Sequence, residues 1–469
     1  MARKKKFDLI VIGSGAGMNV AADATSQGMR VGLVERGPLG GTCLNRGCIP
    51  SKVMLYPADV VRLLESAKSI GIHANIEKVD FDLIMKRTWD LVLEDRHSME
   101  RGIGHSEQLE WFHADGSFVS DYTLKVGDQL ITSDTIVIAS GARPLVPAIQ
   151  GLEEVGYLTS ATVFDIKEPP ESLIIVGGGY IAAEFAHFFS AIGTRVTVVG
   201  RNPRLVPGEE PEISDLLEVT MSEHCQVHTG HEATGAEAGG GLKKVIATNR
   251  SDGRPVEFEA QEILVAAGRR SNSDILMPEK TGVDTDERGW IKVDPYLRTT
   301  KDGIWALGDA LGRTMFRHTA NYHAQVVWEN AFSAQMHSLD EHAVPHAVFT
   351  HPQIASVGMT AQQAMQDHDI LVGTKAYYDV AKGYAMGEED GFVKVIVDEE
   401  TSAILGAHII GPHAAILLQP LVYLMNTEEQ NYWPLARAQT IHPALSEAVV
   451  GAFGNLRPVG EHAHEHHHH

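Results

Sequence analysis

The chain has 469 residues, enough for two to four domains with well-filled cores. Hydrophobic residues make up 43% and charged residues 21%, the balance of an ordinary globular protein. A formal charge of −22 disfavours nucleic acid and anionic membranes as partners, and no stretch approaches the roughly 18 apolar residues that span a bilayer.

The basic start, Met1 to Lys6, runs into Phe7-Asp8-Leu9-Ile10-Val11-Ile12 and then Gly13-Ser14-Gly15-Ala16-Gly17-Met18. The short apolar run reads as a buried parallel strand and not as a signal peptide. A helix pattern to Gln27 and a second strand from Arg30 to Glu35 complete a βαβ unit. Gly13, Gly15 and Gly17 let the backbone and a helix N-terminus approach a pyrophosphate, and Glu35 is placed to accept hydrogen bonds from an adenosine ribose. Met18 stands where the motif's third glycine belongs; strand, helix and acidic residue together restore the reading.

Next comes Gly40-Gly41-Thr42-Cys43-Leu44-Asn45-Arg46-Gly47-Cys48-Ile49-Pro50-Ser51-Lys52, which holds two of the chain's three cysteines. No histidine or third cysteine sits nearby to complete a zinc site. So few cysteines in so long a chain do not suggest secretion, which disfavours a structural bridge. What remains is a pair that opens and closes, set where a helix begins and backbone N–H groups favour a thiolate. Pro50 is expected to kink or shorten that helix.

From Ala58 to His105 the pattern is helical and amphipathic, and Trp111 to Ile131 alternates like a β-meander. Thr135 to Pro144 is a buried strand with a tight turn at Gly141. A second copy of the opening unit begins at Ser172: strand, Gly177-Gly178-Gly179-Tyr180-Ile181, a helix to Ile192 and a strand to Val199. Aligning Gly28-Met29-Arg30-Val31 with Gly193-Thr194-Arg195-Val196 sets Gly200 opposite Glu35, with Arg201 next and Arg204 close by. A carboxylate prefers a free 2′-hydroxyl and an arginine a 2′-phosphate, so NADPH is favoured and NADH stays open. Pro207 stands where a further base could have helped, and both arginines could be solvated surface charges.

The strand and glycine from Ile263 to Arg270, with Gly268 at the turn, close this unit, and Gly303 to Ala310 returns to the first. From Pro345 strands alternate; Phe392 to Val397 and Ile404 to Ile410 flank a turn, and a helix runs from Ala414 to Met425. In Ile441-His442-Pro443-Ala444-Leu445-Ser446-Glu447, His442 has the right pKa to carry protons between thiols, and Glu447 can hold its ring. Cys225 is solitary and reads as structural or incidental; Glu461 to His469 reads as a tag or disordered end.

Gly-Gly-Thr-Cys-x4-Cys-Ile-Pro-Ser-Lys closely resembles the active-site loop of the FAD-dependent pyridine nucleotide–disulfide oxidoreductases, and the resemblance covers residues 7 to 455. It implies an α/β architecture of two Rossmann-like dinucleotide-binding domains, for FAD and NAD(P), plus an α+β C-terminal dimerisation domain. The implied division is 1–150 and 273–343 for FAD, 151–272 for NAD(P), 344–457 for dimerisation and 458–469 as tail. NADPH would pass hydride to FAD, and reduced flavin would open a Cys43–Cys48 disulfide. The resemblance puts Cys48 on the flavin side as charge-transfer thiolate and makes Cys43 the attacker of an external disulfide. Lys52 and Glu184 would pair near the flavin, Tyr180 would gate the nicotinamide, and Asp309 would bind the ribityl chain unless it is only a helix cap. Thr42, Gly141, Gly177, Gly179, Ile181 and Gly268 would line the two nucleotide sites. His442 would act on the other subunit's cysteines in a cytoplasmic homodimer that uses no metal.

The segments from Gly179, Tyr378 and Ile441 look most like mycothione reductases, which reduce a small thiol's disulfide with NADPH. The cysteine loop equally suits the NAD-linked dihydrolipoamide dehydrogenases. A mercuric reductase is disfavoured, since no cysteine pair lies near the C-terminus. A slow flavin redox sensor could carry the same motifs, but the intact Cys43, Cys48, His442 and Glu447 set argues for a catalyst. His318 and His351 receive no role.

Overall fold

In the computed structural model, residues 4–333 and 335–459 are described; the reading of 461–469 as a tag lies outside them. Four apolar residues in a row stay dry only if both faces of their sheet are covered, and Leu9–Ile12 is buried throughout, worth roughly 2 kcal/mol per side chain. It is the centre of a five-stranded parallel sheet ordered Ile304–Ala306, Ile136–Ile138, Leu9–Ile12, Val31–Val34 and Leu109–Phe112. Helices Gly17–Ser26 and Arg317–Phe332 lie side by side, joined by Asn19 and Asn321. The expected meander is Gly116–Ser120, Thr123–Val126 and Gln129–Thr132, whose Phe118, Leu124 and Val126 enter the same core.

Trp111 departs from expectation. It lies in the sheet's edge strand, paired in parallel with Val31–Val34, because alternation alone does not say which sheet a strand joins. The helical region is also interrupted. Cys48–Ser66 and Phe81–Gly104 are helices, and Asp80 caps the second by accepting the Leu83 N–H. Pro50 does not break the first. It sits in the opening turn, where its missing N–H would have no partner anyway. The break falls at Gly47, between helix Gly41–Arg46 and helix Cys48–Ser66, where a Cβ would lie 2.9 Å from the Thr42 carbonyl oxygen.

The second sheet repeats the first: Leu158–Thr159, Glu262–Val265, Ser172–Val176, Arg195–Val199 and Gln226–His228, all parallel. Its own three-stranded antiparallel layer, His231–Gly239, Leu242–Asn249 and Pro255–Ala260, enters at the matching point of the chain. The repeat reaches the turn glycines. Gly13 (φ 105°) would put a Cβ 2.2 Å from the Ala139 oxygen, and Gly177 (φ 144°) one 2.3 Å from that of Ala266. Between the two units runs a two-stranded ribbon, Ala142–Pro144 antiparallel to Arg269–Ser271.

The last unit is a six-stranded sheet with the expected hairpin Phe392–Asp398 and Ile404–Ile410 at its centre. Helices Ala414–Met425 and Ser446–Gly454 pack on it. Among the described residues no helix is long and apolar enough to cross a membrane.

Candidate active site

Cys43 is the third residue of helix Gly41–Arg46 and Cys48 the first of helix Cys48–Ser66, so both sulfurs sit at helix N-termini. Both are free thiols here and lie close together. The neighbouring Cys43 thiol, with the Lys52 charge behind it, outweighs desolvation and lowers Cys48 to about 7. Cys43 is pushed up, first by Cys48 beside it and then by burial. Lys52→Met should move the ionisation of Cys48 from about 7 toward the ordinary thiol value of about 8.5. Alkylation of the reduced protein as a function of pH reads this directly, since only the thiolate reacts.

Lys52 is fixed by two helices packed face to face. Its Nζ lies 2.8 and 2.7 Å from the two oxygens of Glu184, on helix Tyr180–Ala191. Glu184 also accepts the Phe349 N–H at 3.0 Å, and Lys52 stands 4.6 Å from the Phe349 ring centroid. Further along the same faces, Asp59 meets His187 at 2.9 Å and Arg62 donates to Ser190 at 2.7 Å. Spacings of seven and three residues on one helix thus meet steps of three on the other.

Glu35 accepts the Ser14 N–H (3.0 Å), the Ser14 hydroxyl (2.8 Å) and the Gly37 N–H (2.9 Å). Ser14 Oγ accepts in turn from Gly40 N–H at 3.0 Å, joining the glycine turn to the start of the cysteine loop. Around Gly15 a Cβ would find nothing nearer than 4.0 Å, and around Gly141 and Gly179 nothing within that distance. At Gly15 and Gly179 neither crowding nor backbone conformation demands glycine, so their bareness leaves room for something that docks, whereas Gly141 (φ 64°) and Gly268 (φ 123°) need left-handed backbone. Thr42 is exposed, and Gly17, whose Cβ would strike Val11 and Ala139, seats its helix on the sheet.

Asp309 lies 3.6 Å from Arg269 Nε, a buried donor left without a hydrogen-bond partner. Burial raises the Asp309 carboxyl above its usual range. Tyr180 is raised too, by burial first. Its ring is 6.1 Å from that of Phe316.

Other predicted residues stand apart. Arg201 is exposed; Arg204 is tied to Asp215 at 2.5 Å, which offsets its charge before any phosphate arrives. Ile181 is half-buried at the start of its helix. His442 Nδ1 is 2.8 Å from Glu447 Oε1, and the other carboxylate oxygen accepts the Ala444 N–H at 3.0 Å. Glu447 is therefore held below its usual range, chiefly by His442. A carboxylate can only accept, so Nδ1 carries a proton and Nε2 faces outward. The side chain is 70% exposed, and it is not among the groups acting on either thiol of its own chain.

Arg317 was not foreseen. It opens helix Arg317–Phe332, its guanidinium comes 4.0 Å from the Cβ position of Gly15, and its charge favours ionisation of Cys43. Nothing in its surroundings along the chain signals this, because Arg317 stands 302 residues of sequence from Gly15 (317 − 15). Cys225 is buried, its thiol raised by that burial. His318 is bonded to the Pro345 carbonyl and His351 stacks on His187.

The pyridine nucleotide–disulphide oxidoreductase family matches residues 7–324, and its dimerisation domain matches residues 344–453. A mycothione reductase of Mycobacterium tuberculosis is 37% identical, covering 96% of this chain and 99% of its own. A mercuric reductase of Staphylococcus aureus is 34% identical over 88% of this chain and 76% of its own. For a dihydrolipoyl dehydrogenase of Chlamydia muridarum the figures are 33%, 90% and 91%. Among solved structures, the Cu(II) complex of the HOCl-induced flavoprotein disulfide reductase RclA from Escherichia coli matches with a TM-score of 0.86. It is 27% identical, covering 96% of this chain and 99% of that one. Matched along nearly its whole length, the chain belongs to the class I pyridine nucleotide–disulfide oxidoreductases.

Proposed function

We propose that the protein is an NADPH-linked reductase of a low-molecular-weight disulfide, working through Cys43 and Cys48 with bound FAD. The observation that carries this reading is Cys48 at the opening of its helix, beside the Cys43 thiol and one turn from the Lys52–Glu184 ion pair. Bare space at Gly15 and Gly141, the unpartnered Arg269 Nε and the buried Asp309 carboxyl suit a large polar cofactor with hydroxyls and a diphosphate. FAD, when bound, supplies two-electron transfer between nicotinamide and sulfur.

The chain's own part begins when His442 of the second subunit takes the proton of the Cys43 thiol; the resulting thiolate attacks one sulfur of the external disulfide and expels the other as a thiolate. His442 of the second subunit protonates that leaving group. The Cys48 thiolate then attacks Cys43, closing the internal disulfide and releasing the second product as a thiolate that takes its proton from water. Two thiols become one disulfide inside, and one disulfide becomes two thiols outside. The dimerisation domain supports a homodimer. Exposed Ile441 (79%), Ile416 (71%) and Tyr423 (67%) suit an apolar face covered by the second subunit, which would carry His442 toward its partner's cysteines. A reducing cytoplasm fits so few cysteines.

NADPH is favoured by Gly200 in place of an acid and by Arg201 beside it; the mycothione reductase relative points to a small thiol disulfide. The other reading, an NAD-linked dihydrolipoamide dehydrogenase, is supported by the dihydrolipoyl dehydrogenase relative. Steady-state turnover with both nucleotides and a panel that includes mycothione, glutathione disulfide and lipoamide separates them. We expect NADPH with a small-thiol disulfide; lipoamide turnover with NADH alone would reverse the assignment. Arg201→Ala should raise KM for NADPH about tenfold and leave that for NADH unchanged.

A further inference from the structure

Behind Asp309 lies a histidine the mechanism above does not use. His323, on helix Arg317–Phe332, is 1% exposed. Its Nδ1 accepts the Gly308 N–H at 3.2 Å, and its Nε2 lies 3.1 Å from Glu341 Oε1. An amide N–H can only donate and a carboxylate can only accept. The ring is therefore neutral, with its lone pair toward Gly308 and its proton toward Glu341. Glu341 is itself anchored, accepting from the Thr314 hydroxyl at 2.8 Å with Arg313 at 3.9 Å.

The turn that His323 holds is demanding. Gly308 adopts φ 65° and opens the short 3-10 turn Gly308–Leu311, so its N–H has no carbonyl of the same turn to bond. Ala320, three residues before His323 on the same helix, stands 3.1 Å from where a Gly308 Cβ would be. The helix thus seats this turn by shape at Ala320 and by hydrogen bond at His323, and Asp309 is the next residue.

We propose that His323, held in one tautomer by Glu341, is a positioning residue that fixes the Gly308 turn and so aims Asp309 at the flavin. This rests on the reading of Asp309 as a flavin ligand. Asparagine can offer its oxygen where Nδ1 stands; glutamine reaches as far as Nε2 but not to the Gly308 N–H; leucine offers no acceptor.

The test is FAD retention by purified holoenzyme, followed as released flavin fluorescence on dilution, with thermal unfolding at saturating FAD as a separate reading of the fold. His323→Leu and His323→Gln should weaken FAD binding about tenfold, with His323→Asn within about twofold of the parent. Glu341→Leu should fall between, since the ring can then turn its proton toward Gly308. Unchanged retention in His323→Leu overturns the proposal; should that variant not fold, glutamine holding FAD as well as or better than asparagine overturns it. Asp309→Ala keeps the two readings apart. Full FAD retention there sinks the assignment of Asp309, whereas loss there with no effect at His323 sinks only the role of the histidine.

Discussion

Cys43→Ser is expected to end disulfide reduction, lowering kcat by at least about three orders of magnitude, with the fold and nucleotide oxidation by a non-thiol electron acceptor intact. A serine hydroxyl does not ionise in the range where thiol exchange runs, and it cannot form the mixed disulfide that the proposed cycle requires. The variant keeps Cys48 beside Lys52, so it also isolates the second sulfur. Alkylation of the variant should still occur at Cys48, and with the Cys43 thiol gone its pH dependence reads what the serine hydroxyl and the Lys52 charge alone contribute. Persistent disulfide turnover in Cys43→Ser would remove Cys43 from the attacking role.

His442→Ala is the second large effect, a fall of about 10²–10⁴ in kcat, with Glu447→Gln smaller because the ring survives and loses only its orienting partner. The more telling form mixes subunits. If each site takes its cysteines from one chain and its histidine from the other, Cys43→Ser and His442→Ala homodimers are both inactive. Random reassortment then makes half the dimers mixed, each with one wholly intact site, and activity returns to about a quarter of the parent. No recovery after demonstrated exchange would mean that histidine and cysteines belong to the same chain.

The repeated strand–glycine–helix unit was legible because its signals are local. A run of buried apolar residues, a turn that needs Gly13 or Gly177 against a facing carbonyl, and a helix stripe all lie within some thirty residues of one another. The cysteine loop and the His442–Glu447 pair were legible for the same reason, with every partner in one short segment. Arg317 beside the cysteine loop, Arg269 against Asp309, and His323 with Glu341 behind Gly308 were not. These are meetings between separate segments, and no periodicity reports them. Arg204 shows the converse. Its charge was visible, but Asp215, which neutralises it, lies eleven residues away across a turn (215 − 204). Pro50 was misread because proline's effect depends on its position in a helix, and the helix start at Cys48 is set by Gly47.

The ribbon of Ala142–Pro144 and Arg269–Ser271 has an engineering consequence. The polypeptide departs from the flavin-type sheet and comes back to it through two adjacent, hydrogen-bonded strands, so everything in between is a cassette with both seams at one place. Exchanging residues 145–268 for the same module of an NADH-using relative would join the chain at that one ribbon, provided Glu184, His187 and Ser190 are kept to meet Lys52, Asp59 and Arg62, and coenzyme preference should travel with the cassette.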